Sequence, residues 1–156
     1  MFNFLGSLAS LIGVVFSALA FVFSKRASTA ARQARDAVVR QSLVEAMSRA
    51  AGIAAEIVMY LKTERTEAAL LRVGDLMSHT SYLGGRWEAR LAKKSRDNLA
   101  RAHQQLRFMH EVFSASRLPR VEEAARLGEV GQQVIGIFSE EHGVAIKATE
   151  TRDEPW

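Results

Sequence analysis

The chain has no cysteine, which excludes a disulfide framework, a thiolate zinc site and a cysteine nucleophile, and nothing in it calls for an oxidising compartment. Proline is almost missing too. Pro119 and Pro155 are the only two, so a helix begun early meets no proline break for most of the chain. Strand-like alternation is nowhere sustained. Phosphate-binding glycine loops, zinc-protease helices and calcium loops are absent in recognisable form. Four histidines occur, His79, His103, His110 and His142. His103 and His110 lie about 10 Å apart along a helix axis, too far to share a metal without other ligands. No metal and no cofactor is expected. Charge is lacking from one stretch altogether, Phe2 through Phe23, which ends in Ser24-Lys25-Arg26.

That uncharged stretch is the most informative feature present. As a helix, its 22 residues would extend roughly 33 Å, enough to cross the hydrocarbon core of a bilayer. A cleaved signal peptide is the rival reading, since Ala18-Leu19-Ala20 has a small-x-small pattern. Against it, no Lys or Arg precedes the apolar run, and the run continues past that point. The expectation is a retained single-pass transmembrane anchor over residues 1–24.

Charge is distributed unevenly beyond it. Seven Lys/Arg face three Asp/Glu from Ser24 to Lys62, ten face six from Thr63 to Leu118, and four face eight from Pro119 to Trp156. Lys25, Arg26, Arg32, Arg35 and Arg40 follow the apolar run closely. By the positive-inside rule this places the N-terminus outside and the remainder in the cytoplasm, at a plasma (inner) membrane. Lys25, Arg26, Arg32 and Arg35 are the candidate membrane-surface residues, each worth about 1 kcal/mol near anionic headgroups. Gly6, Ser10, Gly13 and Ser17 recur at spacings of four, three and four. Such small-x-x-x-small pairs allow close helix approach and mark a candidate oligomerisation face, or the lining of a pore if many copies assemble.

The rest reads as helices, so the fold class is all-α: the anchor, then an antiparallel bundle of about four helices. Residues 25–62 form a basic stalk and the first bundle helix, with Val39, Leu43, Met47, Ala50, Ala54, Ile57 and Leu61 as its apolar stripe. Residues 63–143 supply the other helices. Thr63 is the expected cap of the second, Leu83-Gly84-Gly85 a turn, and residues 86–113 the third. Pro119 opens a fourth that stops near Gly143. Its Gly128, Gly131 and Gly136 imply tight packing against a neighbour. Residues 144–156 are a loose acidic tail.

One constellation carries possible chemistry. Arg96 and His103 are seven apart, hence on one helix face, where an arginine can hold a phosphate and a histidine can act as acid or base. This resembles the arginine-to-histidine motif of HEPN-type ribonucleases, which are also helical bundles. A second match, Arg72 to His79, has Val73 where that family prefers a polar residue. In layout the chain resembles small membrane-anchored, HEPN-like accessory effectors of bacterial CRISPR and antiphage defence, which implies a membrane-permeabilising effector. Three readings follow: a non-enzymatic, self-associating membrane module with an unknown protein partner; an oligomeric pore; and a ribonuclease with Arg96 and His103 as catalytic residues. The first needs the fewest assumptions. The partners it implies are the lipid bilayer and further copies of the chain. Nucleic acid is a conceivable partner, but no aromatic interleaving of the basic segment supports it.

Overall fold

The computed structural model describes residues 2–115 and 121–150, and the side chains of these apart from 2–15, 18 and 121. Four helices account for nearly all of it: α1 (Phe2–Lys62), α2 (Thr66–Trp87), α3 (Lys93–Ser114) and α4 (Val121–Glu150). No strand occurs among the described residues, so the all-α expectation holds. The chain divides into two compact units, Met1–Val39 and Arg40–Trp156.

In the first unit, the described side chains of α1 are exposed as far as Val38. Phe16, Leu19, Phe21, Val22 and Phe23 all stand open, and Lys25, Arg26, Arg32 and Arg35 follow as exposed cations. The expectation of a transmembrane helix ahead of the bundle is corrected here: among the described residues, no helix is long and apolar enough to cross a membrane. Within those residues the apolar turns from Phe16 to Phe23 extend about 12 Å, against a hydrocarbon core of about 30 Å, before Lys25 and Arg26. The earlier part of that expectation falls on residues 2–15, outside the described side chains.

The second unit is a helical bundle built from the C-terminal part of α1 and from α2, α3 and α4. Its core follows apolar stripes at three- and four-residue steps, which put one side of each helix out of water. Leu43, Met47, Ala50, Ala54 and Ile57 are buried from α1; Val73, Leu76 and Leu83 from α2; Leu99, Ala102, Leu106 and Met109 from α3. Leu127, Val134 and Phe138 complete it from α4. Gly131 explains how α4 comes close to α1. A Cβ there would sit 2.9 Å from Val58 Cγ2, whereas one at Gly128 or Gly136 would meet nothing. Tight packing is therefore the property of one of the three glycines.

Polar side chains also tie the bundle together, several of them on α4. Arg40 donates from Nη1 to the Ala148 carbonyl at 3.0 Å, which satisfies a carbonyl near the end of α4 and sets a cation at the negative end of its dipole. Asn98 and Glu141, both buried, are joined by an Nδ2–H···Oε1 bond of 2.7 Å between α3 and α4. Beside it Lys94 meets Glu140 at 2.7 Å on the surface.

Helix ends differ from expectation for identifiable reasons. Thr63 does not cap α2: its hydroxyl donates back to the Met59 carbonyl at 3.0 Å, and Glu64 takes a left-handed φ of 57° to turn the chain. Gly84 and Gly85 lie inside α2, which continues to Trp87 because Leu83 and Trp87, one turn apart, are both buried. The turn comes afterwards, and α3 starts at Lys93. Helix α4 runs through Gly143 to Glu150 with Ala145 and Ala148 buried, so residues 144–150 are helix rather than tail. Pro119 and residues 151–156 lie outside the described residues.

Candidate functional site

Between the C-terminal half of α2 and the first turns of α3 lies a groove of about 350 Å³. Helix α2 contributes Thr80, Ser81 and Gly84, and the turn beyond it contributes Glu88 and Leu91. Helix α3 contributes Arg96, Leu99, Ala100 and His103. The two residues picked out by their seven-residue spacing thus line the same concavity.

The chemistry of the walls is mixed. Leu91 and Leu99 are buried apolar surface. Thr80 donates its hydroxyl proton to the Leu76 carbonyl at 2.6 Å, and Ser81 donates to Met77 at 3.0 Å, leaving both oxygens only as acceptors. Among the described residues, the side chains of Glu88, Arg96 and His103 make no hydrogen bond or ion pair. The start of α3 is also electrically unusual. Its cap residue, Ala92, offers no side-chain acceptor, and its first turn has no acidic residue while Lys93, Lys94 and Arg96 cluster there. Cations at the positive end of a helix dipole are normally disfavoured. Lys94 is compensated by Glu140, whose hydrogen bond and charge hold the ammonium above its usual range.

The second arginine–histidine pair is occupied by the fold. Arg72 sits 2.7 Å from Glu56 and 3.1 Å from Asp75. The Asp75 hydrogen bond first, then the Glu56 charge, hold its guanidinium above the usual arginine range. His79 donates from Nε2 to the Ala46 carbonyl at 2.9 Å, since a carbonyl only accepts. His79 also borders a smaller groove of about 160 Å³ with Arg49, Tyr82, Arg86 and Trp87. There the Arg86 guanidinium lies 5.5 Å from the centres of both aromatic rings and donates to the Tyr82 hydroxyl.

The remaining candidate residues fall in the first unit. Of Gly6, Ser10, Gly13 and Ser17, only Ser17 is among the described side chains, and it is exposed. Lys25 and Arg26 share one face of α1 with Phe21 and Val22. Compared with known proteins, the chain matches no family model, no curated protein and no solved structure.

Proposed function

We propose that the protein is a non-enzymatic helical interaction module that holds to an anionic lipid surface through the apolar and basic turns of its first unit. The observation that carries this is the exposure of three phenylalanines, Phe16, Phe21 and Phe23, at 68%, 71% and 64%. Large apolar side chains this open, with Ser17 the one polar residue described between Phe16 and Phe23, call for a non-aqueous environment. Burying one phenylalanine is worth about 1.5–3 kcal/mol. The four cations that follow add attraction to phosphate headgroups of about 1 kcal/mol each close to the surface. The second unit supplies a compact helical body with polar surface for a partner.

Flotation of the full chain with vesicles tests this. It should float with phosphatidylcholine vesicles, and more completely when phosphatidylglycerol is added. Replacing Phe16, Phe21 and Phe23 with serine should abolish flotation on both. Reversing Lys25, Arg26, Arg32 and Arg35 to glutamate should remove only the gain from the anionic lipid. A parent chain that stays with the soluble fraction, or a serine variant that floats like the parent, would overturn the reading.

A further inference from the structure

The groove between α2 and α3 does not depend on the lipid reading, and it has the makings of a ligand site. A concavity of about 350 Å³ lies within the size range of small-molecule sites, which are mostly apolar with a few convergent polar groups. Three ionisable side chains without partners, Glu88, Arg96 and His103, stand around the leucines of its wall.

Two further features point to the sign and the size of the ligand. The first turn of α3 gathers Lys93, Lys94 and Arg96 without an acidic residue or a capping side chain. Glu140 answers Lys94, but nothing among the described residues answers Arg96. A local choice that opposes the helix dipole is a conflict of the kind found at functional positions. Gly84 is the second feature. It lies within α2, where glycine costs about 1 kcal/mol relative to alanine. A Cβ at this position would meet nothing within 4 Å. The same openness is found at most glycines of the bundle, but at Gly84 the absent side chain leaves room in the wall of the groove.

We infer that this groove binds a phosphate monoester carried on a small apolar body. The guanidinium of Arg96 is suited to two phosphate oxygens at once, and the His103 imidazole, two turns further along α3, can donate to a polar group elsewhere on the ligand. Leu91 and Leu99 cover the apolar body. Glu88, an acceptor only, suits a hydroxyl or ammonium on the same ligand.

The test uses the full chain and phenyl phosphate as probe, followed through backbone amide shifts. Phenyl phosphate should shift the amides of Gly84, Ala100 and His103 and saturate near a Kd of about 1 mM. Inorganic phosphate and phenol, each half of the probe, should bind at least about tenfold more weakly. Arg96→Ala should weaken phenyl phosphate by about tenfold or more. Gly84→Leu should abolish binding while leaving the unfolding midpoint unchanged or raised, because it fills the hollow and favours the helix. No shifts in the groove would overturn the inference, as would shifts centred on Lys25 and Arg26, or equal binding by both variants. Cleavage of an RNA oligonucleotide that requires Arg96 and His103 and is indifferent to phenyl phosphate would replace it with the ribonuclease reading.

Discussion

At Gly131 a hydrogen stands where any other residue would press on Val58, with only 2.9 Å between a built Cβ and Val58 Cγ2. Gly131→Ala should therefore destabilise the second unit by about 1–3 kcal/mol, the usual cost of overpacking. Gly136→Ala, with open space around it, should stabilise by about 0.5–1 kcal/mol through helix propensity alone. Urea denaturation of the pair settles the matter, and equal effects would show that Val58 simply gives way. Glu64 offers the reverse case. Its φ of 57° forces an L side chain into the left-handed region, so Glu64→Gly should gain up to about 1 kcal/mol. Asn98 is the costliest polar position. Removing it with Asn98→Leu strips the buried Glu141 carboxylate of a 2.7 Å donor and should cost about 2–3 kcal/mol.

Among the helices, the surface contact of α3 with α4 at Lys94 and Glu140 makes stability depend on pH. The hydrogen bond and charge of Lys94 hold the Glu140 carboxyl below the usual carboxylate range, and Glu140 raises Lys94 in return. A lowered carboxyl contributes fully above the ordinary carboxylate range and is lost as pH falls through its lowered value. A raised ammonium contributes below the ordinary lysine range and is lost as pH rises past its raised one. Lys94→Met should thus lower the urea midpoint slightly at neutral pH and make no difference in acid below that window. A deficit of the same size at both pH values would contradict the pairing. The apolar stripes behind these helices were legible in the sequence, because period alone marks Leu43, Met47, Leu106 and Phe138 as inward-facing. Helix ends were not. Gly84-Gly85 has the composition of a turn, yet burial of Leu83 and Trp87 outweighs glycine's preference, and Thr63 bonds backwards instead of forwards. Arg96 and His103 were legible as neighbours from their spacing. Glu88, Gly84 and Leu91 were not, since they meet α3 only through the pairing of two helices that no local pattern encodes.

For the molecule as a whole, the division at residue 40 separates exposure from burial. No described side chain before Leu43 is buried, so the first unit contributes nothing visible to the core. The chain from Arg40 onward should unfold cooperatively with a stability within about 0.5 kcal/mol of the full chain's. Trypsin should cut first at Lys25, Arg26, Arg32 and Arg35, exposed on α1, and leave the bundle intact. Early loss of the bundle would show that the units depend on one another. Trp87 gives the second unit a further property. It is one of two tryptophans and is only 4% exposed, at the corner where α2 gives way to the turn before α3. With Trp156 replaced by phenylalanine, its indole becomes a native optical gauge of that corner. Its emission will be blue-shifted while α2 and α3 stay together, and will redden when water reaches the junction.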